Sequence, residues 1–114
     1  MANTFKQISK AGVTSSDVIY TVAGSTTTVV LGLIIGNTQS SDITVTLTLS
    51  TDTANRSGAN NEDNQPVELL TSTTIPANSS LELLAGNKIV LETTDVINLT
   101  ASAAADISIS VMEI

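Results

Sequence analysis

The sequence predicts an all-β domain: an antiparallel β-sandwich or jelly-roll of seven to eight short strands, preceded by an extended N-terminal arm. Three observations predict it. Thirty-two of the 114 residues are Ser or Thr, and in the clearest stretches they occupy every second position. In Ile43-Thr44-Val45-Thr46-Leu47-Thr48-Leu49-Ser50 the apolar side chains fall on one face of an extended chain and the hydroxyls on the other, the period of two of a half-buried strand. Turn residues punctuate such runs at regular intervals, and no 12-residue window carries a helical period.

Taken in order, residues 1–16 read as an arm, because Gly12-Val13-Thr14-Ser15-Ser16 interrupts any regular element. Residues 17–114 read as a single sandwich domain. Its first strand is Val18-Ile19-Tyr20-Thr21-Val22. The second, residues 26–36, holds the nearly unbroken apolar run Val29-Val30-Leu31-Gly32-Leu33-Ile34-Ile35, which implies burial on both faces, one by the core and one by another protein. Gly32 in mid-strand signals a bulge or a close backbone approach. The alternating strand 42–50 follows, and then residues 51–65, a long polar loop without a large apolar side chain. Pro66 opens a strand over 66–70, and Ile75-Pro76-Ala77-Asn78-Ser79-Ser80 is a turn. Short strands over 81–84, 89–92, 96–102 and 107–113 complete the pattern, with Ala103-Ala104-Ala105-Asp106 as the last turn.

Composition limits the chemistry. The chain has no His and no Cys, so thiolate chemistry, disulfides and a Ser-His nucleophile are absent. No catalytic, cofactor-binding or metal-binding residue is assigned, and an enzyme is not expected. The acids Glu68, Glu82 and Glu92 read as edge and surface charges. Asn60-Asn61-Glu62-Asp63-Asn64 is rich in oxygen donors, but its spacing does not match an EF-hand calcium loop. The net charge of −7, with four basic residues and two aromatic ones, argues against nucleic acid and against anionic membranes as partners. No apolar signal core opens the chain and no apolar run approaches a membrane span, so synthesis in the cytoplasm is expected.

Several segments together resemble one family. They are Met1-Ala2-Asn3-Thr4-Phe5-Lys6, Ile19-Tyr20-Thr21-Val22, Thr26-Thr27-Thr28-Val29-Val30-Leu31-Gly32-Leu33 and Ile75-Pro76-Ala77-Asn78-Ser79-Ser80-Leu81. Lys88-Ile89-Val90-Leu91-Glu92 with Asp95-Val96-Ile97, and the ending Ile109-Ser110-Val111-Met112-Glu113-Ile114, belong with them. The chain is similar in these segments to small virion structural proteins of tailed bacteriophages, particularly marine and cyanobacterial ones. The likeness covers most of the chain except loop 51–65. It implies a β-sandwich that oligomerises on the virion, and it carries no catalytic motif to transfer.

The expectation is a capsid decoration or cement protein that binds the major capsid protein or other virion proteins and forms a homo-oligomer. Phe5, Ile8, Val29, Leu31, Leu33, Ile35, Met112 and Ile114 are the expected interface residues. Two alternatives stand beside it: a neck, tail or fibre-base adaptor forming a ring or trimer, and a carbohydrate-binding sandwich using loop 51–65.

Overall fold

The structure, a computed structural model, describes residues 3–51, 65–84 and 88–114. Among these the fold is all-β and antiparallel: seven strands, no helix, one sheet curled into a half-barrel with a sandwich-like interior. The strands are β1 (Thr4–Thr21), β2 (Thr28–Asn37), β3 (Ile43–Thr51), β4 (Gln65–Ile75), β5 (Ser80–Glu82), β6 (Ile89–Leu91) and β7 (Val96–Glu113).

β7 organises the sheet. Its first part, 96–101, pairs with β3, which pairs with β4; its last part, 105–113, pairs with β2, which pairs with β6 and then β5. β1 runs along the opposite edge of β7 for nearly its whole length, from Thr4↔Glu113 to Thr21↔Val96. Two half-sheets therefore share one long strand pair. An 18-residue strand is about 60 Å long when straight, whereas the longest dimension of the molecule is 44 Å. Both long strands must bend.

The bend lies where β7 leaves β2 and joins β3, at Ser102-Ala103-Ala104. Small side chains let the strand curve there without collision. β1 follows through register shifts between Lys10 and Val13 and between Val13 and Ser15. Gly12 has φ +68°, a left-handed conformation suited to glycine, and its amide donates to Asp106 Oδ1 at 2.9 Å.

Two expectations are corrected by this pairing. Residues 4–16 are not an irregular arm: they form the first part of β1, and the Gly12 irregularity is a bulge within a paired strand. Residues 103–106 are not a turn: 96–102 and 107–113 are one continuous strand, because Ile97, Leu99, Ala101, Ala105, Ile107, Ile109 and Val111 all keep the inward phase. Loop 51–65 falls almost wholly outside the described residues. The bulge expected at Gly32 is present, as a register shift between Val30 and Gly32 against β7.

The core is aliphatic. Val30, Leu33, Ile35, Leu47, Leu91, Leu99 and Ile109 are essentially fully buried between the half-sheets. Asn37 is a buried polar exception with a full set of partners. The two protons of its Nδ2 are shared among the carbonyls of Ser41, Ile75 and Pro76 at 3.0, 2.9 and 3.1 Å, and its Oδ1 accepts from the Gln39 amide at 2.8 Å. It ties the end of β2 to the end of β4. Asn37→Ala would strand these backbone groups, and equilibrium urea denaturation is expected to show a loss of about 2–3 kcal/mol.

Candidate functional site: the outer face of β1, β7, β2 and β6

Cross-strand partners in a sheet point to the same side. Phe5 pairs with Met112, Met112 with Val29, and Val29 with Val90. These four apolar residues form a row across four adjacent strands, and the row points away from the core. Phe5 is 71% exposed and Val90 61%; Met112 and Val29 are half-buried by their neighbours. Farther along the same face, Gln7 and Ser9 of β1 lie beside Ser108 of β7: Gln7 Nε2 donates to Ser108 Oγ at 3.1 Å, and Ser9 Oγ to the same oxygen at 3.2 Å. Ile34 of β2, 45% exposed, is in register with Ser108.

The bulge sets which side chains face out. Buried residues along β2 are 28 and 30 before it and 33, 35 and 37 after it. The extra residue at Leu31-Gly32 shifts the phase by one, so that Val29 and Ile34, five positions apart, share the outer face. This explains the unbroken apolar run: both faces of β2 are apolar, and the inward set changes phase at the bulge.

The relief of this face is uneven. The small side chains of Ser9, Ala11 and Ser108, walled by Ile34 and Asp106, leave a shallow hollow of about 430 Å³. A second depression of about 290 Å³ lies beside Gly32, Ile34 and Glu82, where the outer edge of β2 passes from β6 to β5.

Of the expected interface residues, Phe5, Val29 and Met112 meet in the apolar row. Leu31 is half-buried beside the second depression. Leu33 and Ile35 are 1% and 0% exposed and belong to the core, a correction that follows from the phase shift at the bulge. Ile8 packs partly against that core from the inner face. Ile114 is exposed beyond the end of β7, where its backbone exchanges hydrogen bonds with Thr27. Sequence reasoning missed Val90 and Ile34; the consecutive apolar triplet Ile89-Val90-Leu91 was the available signal for the first, since alternation must turn either Val90 or its two neighbours outward.

On the inner face a polar cluster ties the half-sheets together. Tyr20, in the half of β1 that pairs beside β3, donates its hydroxyl to Glu113 Oε2 at 2.6 Å and meets Thr28 Oγ1 at 2.8 Å in the other half. Lys6 Nζ lies 2.9 Å from Glu113 Oε1. The hydrogen bond from Tyr20, and then that from Lys6, hold the Glu113 carboxyl below the usual carboxylate range. Burial first, then the bond to Glu113, push the Tyr20 hydroxyl up to about 12.

Folded Glu113 ionises more readily than in the unfolded chain, so its stabilising effect is present above the ordinary carboxylate range and disappears as pH falls through the lowered value. Folded Tyr20 holds its proton more tightly. Its contribution is complete below 10.0, the ordinary phenol value, and is lost as pH rises from there to about 12. Stability measured by denaturant is expected to be level between about pH 5 and 9 and to fall on both sides. Tyr20→Phe should flatten the alkaline fall, and ultraviolet titration of this single tyrosine reads its ionisation directly.

Among the described residues no group of three or more His, Cys, Asp or Glu is gathered as metal ligands would be. The acids Glu68 and Glu82 sit on β4 and β5, at opposite ends of the strand order. The oxygen-rich segment 60–64 lies outside the described residues. No protein-family model matches the chain, and no curated protein or solved structure matches it.

Proposed function

We propose that this chain is a non-enzymatic structural protein of a bacteriophage virion, a decoration or cement subunit that assembles on the capsid through its outer sheet face. The observation that carries the reading is the row Phe5–Met112–Val29–Val90: four apolar side chains aligned across four strands and turned to solvent. Single exposed apolar residues are ordinary, whereas a contiguous row marks a surface that is covered in use. The family likeness supplies the virion as the setting, and the acidic charge keeps free subunits apart before assembly.

Copy number tests the reading. Quantitative protein gels of purified virions are expected to give hundreds of copies per particle. On the order of a dozen would place the protein instead in a neck or tail ring, and absence from the particle would end the virion reading.

A further inference from the structure

We infer that the open edge of β1 over Thr4–Lys10 is a strand-addition site. Its occupant is an extended segment of another protein that carries an apolar side chain between two acidic ones. Edge backbone groups lie in the plane of the sheet and side chains stand perpendicular to it. The edge and the outer face can therefore be filled together, and the inference stands without the reading of that face.

β7 is paired on both of its edges, whereas β1 is paired on one, with β7 alone. Backbone bonds show which groups the open edge presents. Ile114 and Thr27 exchange two hydrogen bonds, and the Leu33 carbonyl turns away from β7 to accept from the Leu83 amide. Antiparallel bonding alternates along a strand, and both observations fix the same phase. The even residues of β7 from 106 to 114 bond toward β2 and the odd ones toward β1. Thr4, Lys6, Ile8 and Lys10 lie opposite odd residues and bond β7. Phe5, Gln7 and Ser9 therefore turn their N–H and C=O groups to the open side, where no described strand meets them.

The other edges are guarded by ordinary means. β4 contains Pro66 and is bulged, with Ser72 at φ 43°. β5 and β6 are three residues each. The second half of β1 is broken by register shifts, and Lys10 Nζ caps its Val18 carbonyl at 2.7 Å. Thr4–Lys10 instead keeps an unbroken register with β7, which leaves about 23 Å of regular edge.

Charge selects the occupant. Lys6 and Lys10 are two of the four cations of a chain with net charge −7, and no acid occurs from residue 4 to residue 10. Both stand on the inner side of β1, opposite buried Val111 and Ile107, and they flank half-buried Ile8. An ammonium has three protons to donate. Lys6 meets Glu113, and Lys10 meets Asp17 and the Val18 carbonyl, so each keeps a proton for a further acceptor. Side chains of an added strand lie about 5 Å from their lateral neighbours, within reach of these groups. A second copy fits poorly. Antiparallel pairing of two such edges, in the three registers of greatest overlap, sets Lys6 opposite Lys6, Ile8 or Lys10, and never opposite an acid.

The test adds a capped seven-residue peptide to the isotope-labelled full chain. The peptide has glutamate at its second and sixth positions, valine at its fourth and threonine elsewhere. This spacing matches Lys6, Ile8 and Lys10 in either strand direction. Nuclear magnetic resonance is expected to give a Kd below about 1 mM. The amides of Phe5, Gln7 and Ser9 should shift and gain protection from hydrogen exchange, while those of Lys6 and Ile8 change little. Lysine in place of both glutamates should weaken binding about tenfold, a difference that salt narrows. Gln7→Pro removes an N–H that β7 does not use, so circular dichroism should stay unchanged while binding is lost. No binding of the glutamate peptide, equal binding of the lysine peptide, shifts centred on β4, or binding retained by a folded Gln7→Pro variant overturns the inference. So does a concentration-dependent shift of the Phe5, Gln7 and Ser9 amides without peptide, which would give the edge to a second copy. Copy number on virions bears on neither outcome, so this inference and the decoration reading fail separately.

Discussion

Ile109→Ala is expected to be among the most damaging single substitutions in the chain. Ile109 is fully buried, and it sits in register with Ile8 of β1 on one side and Leu33 of β2 on the other. Removing its three outer carbons leaves a cavity between three strands that cannot all close in. The cost is about 3–4 kcal/mol, a large share of the roughly 5–15 kcal/mol that holds a domain together. Its neighbour Ser108 points the other way and exchanges only surface hydrogen bonds with Gln7 and Ser9. Ser108→Ala should therefore change stability by no more than about 0.5 kcal/mol. Urea denaturation of the two variants measures the inward–outward alternation of β7 directly, and equal effects would show that the strand does not hold this phase.

The second large effect is on assembly. Phe5→Ser together with Val90→Ser should leave the fold nearly as stable as before, since both side chains are mostly in solvent. Retention on capsid shells should nonetheless fall by about a hundredfold, because each buried apolar anchor at an interface contributes about tenfold or more. Pelleting of the double variant with shells, against wild type at matched concentration, reads this loss.

Much of the fold is legible in the residues. The alternation in 43–50 announces β3, and Gly32 within an apolar run announces the bulge that the pairing contains. The centre of β7 is legible too, but only by position and not by residue type. Ala103-Ala104-Ala105-Asp106 has the composition of a turn, yet the inward phase of Leu99 and Ala101 continues unbroken to Ile107 and Ile109. Small side chains there serve a bend within a strand, and composition alone does not distinguish a bend from a turn. Gly12 poses the same problem in β1: a left-handed glycine ends a strand in one context and bulges it in another, and the long partner strand β7 decides.

The candidate face was legible only in part, for a related reason. An apolar residue announces that it is covered, not by what. Leu33 and Ile35 looked like interface residues because the run 29–35 shows no alternation. One bulge separates the inward set from the outward set, and its effect on phase depends on pairing with Ser110 and Ile109. Val90 and Ile34 become part of the face only through register with strands distant in sequence. The tie from Tyr20 to Glu113 spans 93 residues and joins two half-sheets, so no local pattern could reveal it.

On the proposed reading, the outer face assembles this protein on a viral shell. The most direct measurement is binding of the purified chain to capsid shells that lack it, followed by sedimentation of the shells and quantitation of the bound protein. Saturable binding at hundreds of sites, strongly weakened by Phe5→Ser with Val90→Ser, is the predicted result. Shells that bind none of the protein, or bind the double variant as well as wild type, would contradict it.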